Sequence, residues 1–382
     1  AARDTDGQGG YEPLVGRSRT IDLGTIEELH FLDPDGNVVD DRAPSFDRDE
    51  LLRIYRAMVL TRTLDERMLA MQRQGEMGTF APGFGQEATQ IGQVYPLTST
   101  DWYSPSYRSF GAQLWRGWTI EGLLLLWFGF FEGFEVPEGV NDLPFSIVIG
   151  SQVPVATGLG MAIRAKNDDA VAVVNFGDGA SSQGAVNEAL NFAAVYQSPV
   201  IFVCENNGYA ISVPASKQAG ISEFARRGPA FGMPAVRVDG NDILAMIHAT
   251  QQATDRARSG GGPTFIEAVT YRMRHHTTAD DPTVYRDEGE VERWQRFCPI
   301  ARFEKYLEAN GVLTDGMAEA VAAECDEAVR AGRDAFRKRC IPRPKEVFDF
   351  MYEELPPELE RQRAEYLAKL QRQGIEEPDL PA

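Results

Sequence analysis

The feature that most constrains this chain is a triplet, Gly177-Asp178-Gly179, set one strand–helix–strand unit ahead of Glu205-Asn206-Asn207-Gly208. Val171-Ala172-Val173-Val174-Asn175-Phe176 reads as a buried strand, and Pro199 to Cys204 as a second. Between them, Gly184 to Tyr196 carries Val186, Leu190, Ala193 and Ala194 at helical spacing. Such βαβ units are right-handed, with their two strands parallel. Asp178 and Asn207 are therefore expected at neighbouring strand tips, on the edge where open α/β sheets bind ligands. A carboxylate and a carboxamide oxygen together suit a hard cation such as Mg²⁺, which takes oxygen ligands and retains phosphate oxygens in its shell. The glycines let a bulky anion reach the backbone, and the following helix start presents free N–H groups to it. The sequence thus predicts a Mg²⁺–diphosphate site. A plain βα turn, with a capping Asp and a left-handed Asn, is the competing reading of the same letters.

Further strands are expected at Phe145–Gly150, Val236–Gly240 and Thr264–Tyr271. Helices are expected from Asp47 to about Arg73, and over Gln86–Val94, Leu114–Phe131, Val153–Ala165 and Ile243–Arg258. Trp102 to Arg108 reads as a loop, as does Arg274 to Gly289, which carries two of the four histidines. Ile300–Asn310, Asp315–Arg339 and Pro356–Arg372 read as helices. Strands alternating with helices predict a doubly wound, mostly parallel α/β sheet flanked by helices, with a helical C-terminal region. The expected organisation is an N-terminal extension over 1–45 with a short hairpin at Asp33–Gly36, a cofactor-binding α/β domain over 46–275, and an active-site loop with C-terminal helices over 276–382.

A net charge of −19 argues against nucleic acid or an anionic membrane surface as a partner. Lysine occurs only at 166, 217, 305, 338, 345 and 369, so the surface has the composition of salt adaptation, which an ordinary acidic enzyme from a GC-rich genome shares. Cys204, Cys298, Cys325 and Cys340 have no CxxC spacing and read as idle thiols in a reducing cytoplasm. Residues 1–20 lack a charged-then-apolar leader, and the apolar run Gly122–Phe131 is too short to span a bilayer. A cytoplasmic protein is expected, with that run in a buried helix.

Gly-Asp-Gly followed after one βα unit by Asn-Asn resembles the thiamine diphosphate fingerprint. From about residue 45 onward the chain resembles the alpha subunit of the decarboxylating (first) component of 2-oxo acid dehydrogenase complexes. Arg73-Gln74-Gly75, Gly85-Gln86-Glu87-Ala88, Pro137-Glu138-Gly139-Val140-Asn141 and Met351-Tyr352-Glu353-Glu354-Leu355-Pro356 are similar to the pyruvate branch. His275-His276-Thr277-Thr278-Ala279-Asp280-Asp281-Pro282 is more similar to the branched-chain branch.

The resemblance implies roles position by position. Tyr107 and Arg108 match the pair that holds the diphosphate. Ile147 and Ile149 fall where a backbone carbonyl and a backbone N–H meet the aminopyrimidine. Asp178, Asn207 and the carbonyl of Tyr209 match the Mg²⁺ ligands, and Gly179 and Ala180 line the diphosphate. Ser146, Ser151 and Gln152 fall near a monovalent-cation site known in part of the family. His276 matches the loop histidine that reaches the diphosphate and the reacting centre; a solvated loop residue is the alternative, and it is preferred for His275. Thr277 occupies the place of a regulatory phosphoserine in animal relatives. Glu205 replaces an Arg that some relatives place on the diphosphate. Ala185 replaces an acid of the tunnel between two active sites, leaving Glu188 to carry any proton path.

The resemblance also implies that the carboxylate activating the cofactor belongs to a beta chain, so that two alpha and two beta chains form the enzyme. The acyl group is then expected to pass to the lipoyl group of a transacylase component. The favoured substrate is pyruvate and the alternative a branched-chain 2-oxo acid; these differ by methylenes worth roughly 1–3 kcal/mol of discrimination. Phe80 is a candidate pocket wall, with core packing the equal alternative. The rivals are a non-catalytic cofactor-binding subunit, a self-sufficient thiamine-dependent lyase or transferase, and a Mg²⁺-dependent phosphohydrolase.

Overall fold

The computed structural model describes residues 24–341, 343, 346–349 and 351–375. The expectations for residues 1–20, and most of the expected N-terminal extension, lie outside the described residues.

The central βαβ unit forms as the apolar runs require. Strand β4 (Ala172–Gly177) and strand β5 (Val200–Asn206) pair in parallel, with Gly177 opposite Glu205. The helix between them spans Gly184–Tyr196. Alternation along each strand divides the core in two. Val173, Ile201, Val203, Ile266 and Ala268 face one apolar cluster; Val174, Phe176, Val200, Phe202 and Phe265 face the other. Both faces are buried, which is why these strands read as unbroken apolar runs. Each fully buried Val, Ile or Phe contributes roughly 1.5–3 kcal/mol relative to exposure.

The remaining strands of the sheet are β1 (Glu27–Leu29), β2 (Trp102–Ser104), β3 (Asn141–Asp142), β8 (Ala235–Asp239) and β9 (Thr264–Val269). Strands β6 (Tyr209–Ala210) and β7 (Val213–Pro214) make a separate antiparallel hairpin. The seven-stranded sheet runs β1-β8-β9-β5-β4-β2-β3, with every pair parallel. The doubly wound α/β expectation holds.

Helix α1 (Arg48–Arg73) starts at Asp47, whose carboxylate accepts from the Glu50 N–H at 2.8 Å. Helix α2 (Glu87–Gly92) follows a glycine-rich turn. Helix α5 (Gln152–Lys166) and helix α6 (Gly184–Tyr196) pack side by side on one face of the sheet. The expected Leu114–Phe131 helix is two helices, α3 (Phe110–Trp115) and α4 (Ile120–Phe128), broken where Gly117 takes φ +98°. Leu123 to Leu126 are buried as expected.

Three local expectations fail. Trp102–Ser104 is a central strand and not a loop, because its neighbours β3 and β4 supply hydrogen bonds that three residues cannot advertise. Phe145–Gly150 is a turn held by one bridge, Ser106 to Ser146, and not a strand. Glu27–Leu29, read as part of an arm, pairs with β8 as an edge strand of the main sheet. Among the described residues, no helix is long and apolar enough to cross a membrane.

Candidate active site

Because β4 and β5 are parallel and adjacent, Asp178 and Asn207 emerge side by side. The Asn207 N–H donates to Asp178 Oδ1 at 3.4 Å. The Asp178 carbonyl is fixed from below, accepting from Ser181 Oγ at 2.6 Å and from Gln218 Nε2. Gly179 is required by approach, since a Cβ there would stand 2.9 Å from the Cβ of Ala210 in the β6–β7 hairpin.

Asn207 is held in one orientation. Its Nδ2 donates to Gln86 Oε1 at 3.4 Å, which directs Oδ1 toward the Tyr209 N–H at 3.4 Å. Asp178 Oδ1, Asn207 Oδ1 and the Tyr209 carbonyl are thus gathered by the same short segment. Asp178 Oδ2 is buried and has no hydrogen-bond partner among the described residues. Burial raises the carboxyl to a pKa of about 6, against hydrogen bonds from the backbone N–H groups of Asn207 and Asp178 itself. A buried, unpartnered carboxylate oxygen on a residue that lines the cavity together with Asn207 and Tyr209 fits a Mg²⁺ ion that completes its shell with phosphate oxygens and water. Among the described residues, no group of three or more His, Cys, Asp or Glu could hold a metal.

The cavity has a volume of about 230 Å³. It is lined by Tyr107, Arg108, Ile149, Asp178, Gly179, Ala180, Asn207, Tyr209 and His276 among the predicted residues. Ile147 is adjacent in sequence and 65% exposed, but does not line it. Glu188 lies on the exposed face of α6, also outside the lining. Ser146 and Gln152 line the cavity; Gln152 Nε2 donates to the Asn175 carbonyl at 2.9 Å and its Oε1 is buried without a partner. Phe80 is fully buried and packs edge-on against Trp127, away from the cavity.

One residue that the sequence reading passed over organises the rest. Arg272 is 1% exposed and lines the cavity. Its guanidinium reaches the carbonyl of Tyr209 at 3.3 Å, the carbonyl of Ile211, the hydroxyl of Tyr285 at 2.9 Å and His276 Nδ1 at 3.3 Å. Arg108, 4% exposed, meets the same Nδ1 at 3.2 Å and donates to the carbonyls of His276 and Pro82. Two guanidinium donors converge on Nδ1, so the ring is the neutral tautomer with its proton on Nε2. Burial, then Arg108 and Arg272, push the His276 pKa down to about 3. The His276 N–H is anchored by Asp280 Oδ2 at 2.7 Å, and that oxygen also accepts from Tyr285.

Neither Arg108 nor Arg272 makes an ion pair with a carboxylate among the described residues. Two buried, unneutralised guanidiniums facing a cation-ready carboxylate are complementary to a metal-bound diphosphate. Burial raises Glu205, at the cavity floor, to a pKa of about 7 and so favours its uncharged form.

This fold and site define an α/β protein with a polar cavity at the carboxyl edge of a parallel sheet. The family model for the dehydrogenase E1 component matches residues 55–343, and the chain belongs to that family. It is 40% identical over 349 residues to the pyruvate dehydrogenase E1 component subunit alpha of Staphylococcus epidermidis, covering 90% of this chain and 94% of that protein. It is 41% identical over 344 residues to the same-named subunit of Acholeplasma laidlawii, covering 87% and 98%. It is also 41% identical over 368 residues to the 3-methyl-2-oxobutanoate dehydrogenase subunit alpha of Mycobacterium tuberculosis, covering 96% and 99%.

Proposed function

We propose that this chain is the alpha subunit of a thiamine-diphosphate-dependent 2-oxo acid dehydrogenase, favouring pyruvate, and that it works in the cytoplasm as two alpha and two beta chains. The observation that carries this reading is the pairing of Asp178 Oδ2, buried without a partner, with the unneutralised guanidiniums of Arg108 and Arg272. Asp178, Asn207 and the Tyr209 carbonyl would hold Mg²⁺; Tyr107, Arg108, Gly179, Ala180 and His276 would hold the diphosphate. Gln152 Oε1, with Ser146 and Ser151 nearby, is assigned to a monovalent cation. When bound, thiamine diphosphate supplies the electron sink for loss of carbon dioxide from the 2-oxo acid.

The chain's own residues bind and orient. Asp178 would help hold the Mg²⁺ ion, whose charge would offset that of the phosphate. Arg108 and Arg272 fix the phosphate oxygens and hold His276 neutral, and this leaves Nε2–H as a donor beside the reacting centre. The acyl group would then pass to the lipoyl disulfide of a transacylase component, the disulfide being reduced as the acyl thioester forms.

A second wall from a beta chain is supported by apolar surface at the mouth. Ile147, Val148 and Ile149 are 65%, 70% and 41% exposed. The outward face of α5 and α6 adds Val155, Phe192, Val195 and Tyr196, all exposed. Exposed apolar side chains gathered on a pair of packed helices mark an interaction site. Glu188 lies on that same face, so any role in a proton path arises only in the assembly.

Co-expression with the beta chain, followed by decarboxylation assays with an artificial electron acceptor across several 2-oxo acids, tests the reading. Activity should require both chains, Mg²⁺ and thiamine diphosphate. Full activity of the isolated chain sinks the split site, and Mg²⁺-dependent phosphate release without thiamine diphosphate favours a phosphohydrolase. A cofactor-saturated but inactive pair identifies a binding subunit. The match along 96% of the chain to a branched-chain relative makes 3-methyl-2-oxobutanoate the second substrate to assay.

A further inference from the structure

We propose that Phe84 is a positioning residue for the His276 loop, acting through an arginine–aromatic–arginine sandwich; this rests on the site reading above. The segment Phe80-Ala81-Pro82-Gly83-Phe84-Gly85 turns tightly ahead of α2. Gly85 takes φ +92°, and a Cβ there would press on the Met273 side chain at 3.0 Å. A Cβ at Gly83 would stand 3.0 Å from the Arg108 carbonyl. The turn is thus wedged between the Arg108 segment and the strand that leads into the loop.

Its backbone ties both cofactor-facing groups together. The Phe80 carbonyl accepts from the Thr278 N–H at 3.1 Å, just after His276. The Pro82 carbonyl accepts from the Arg108 guanidinium. The Gly83 N–H donates to the buried carboxyl of Asp65 at 2.6 Å, which fixes the turn on α1.

The Phe84 side chain supplies the remaining tie, just before His276. The guanidinium carbon of Arg62 lies 3.8 Å from its ring centroid and that of Arg274 lies 4.3 Å away. Two guanidinium groups cannot share one face at these distances, so the ring lies between them. Arg62 is locked on α1 by a two-point fork to the buried Glu87, at 2.6 and 2.8 Å. Among the described residues, Arg274 pairs with one carboxylate, the half-exposed Glu66 at 3.7 Å, so the ring is its main anchor. The negative face of the ring attracts each cation and separates the two like charges. The loop is thereby held before His276 by Phe84 and after it by Phe80.

The test uses the co-expressed alpha–beta pair with Phe84→Leu, which keeps apolar bulk but has no π face, and Phe84→Tyr, which keeps the face. Phe84→Leu is expected to raise the half-saturating thiamine diphosphate concentration about tenfold, the order of one desolvated cation–π contact. Amide exchange over residues 275–280 should quicken to a similar degree without added cofactor, while the melting temperature stays put. Phe84→Tyr should restore both, and Arg274→Gln combined with Phe84→Leu should do no more than either alone. Loop exchange unchanged in Phe84→Leu, or equally quickened in Phe84→Tyr, overturns the proposal. Exchange needs no ligand, so this outcome is separable from a wild-type pair that ignores thiamine diphosphate.

Discussion

Asp178 concentrates the chemistry of the site in one carboxyl group. Its second oxygen has no partner among the described residues, and burial has raised its pKa to about 6. Asp178→Asn keeps the shape and removes the buried charge. Mg²⁺-dependent cofactor binding should fall at least 100-fold by titration calorimetry, while the melting temperature of the isolated chain holds or rises. A variant that still binds would place the metal elsewhere. Ile211 is a second informative residue. It is β-branched, lines the cavity, is 56% exposed and takes φ +56°, with its carbonyl held by Arg272. Left-handed backbone at a non-glycine residue costs roughly 1–2 kcal/mol. Ile211→Gly relieves that strain and returns up to about 1 kcal/mol as chain entropy. Chemical unfolding should therefore show stability unchanged or slightly raised, with weaker cofactor binding because the wall is lost. A clear loss of stability would mean that the backbone there is relaxed.

At the scale of elements, the α5–α6 pair has two faces. The inner one packs on the sheet through Val153, Ala156, Val186 and Leu190. The outer one leaves Val155, Phe192, Val195 and Tyr196 exposed, with Phe192 and Tyr196 stacked 6.0 Å apart. A solvent-facing helix of an independent monomer seldom keeps that composition. Val195→Glu should leave the circular dichroism and melting of the isolated chain unchanged and abolish co-purification with the beta chain. Undiminished co-purification would move the interface off this face. The helical periodicity of α6 is plain in the sequence through Val186, Leu190, Ala193 and Ala194, but it does not place Phe192 and Tyr196 on the outside. Which apolar residues stay outside depends on where the neighbouring helix lands.

For the whole molecule, the largest pH signature comes from buried acids away from solvent. Asp65 is fully buried, and desolvation raises it to about 7. The folded state then binds a proton that the unfolded state releases near pH 4. Its stabilising share is complete below that point and is lost as pH rises toward 7. Comparing melting at pH 5 and pH 8, the wild type should lose more stability on going up than Asp65→Asn does. An identical decline in both would show that Asp65 is ionised in the fold.

What the sequence determined by itself was the parallel sheet and the edge that carries the candidate site. Two apolar runs around an amphipathic helix force a parallel pair, and parallel strands put Asp178 and Asn207 on one edge whatever surrounds them. The family motifs placed Tyr107, Arg108, Tyr209 and His276 at the same cavity. Tertiary structure alone decided the partners that act across long gaps. Gln86 orients Asn207, Arg272 shares His276 with Arg108, and Phe84 lies between Arg62 and Arg274. A basic cluster at Arg272, Arg274 and Arg286, in an otherwise acidic chain, was the one available hint. It does not say which guanidinium turns inward, because a loop has no period to fix side-chain direction. It took packing against the 80–85 turn and the β6–β7 hairpin to bury one of these arginines in the cavity and stack another on a ring.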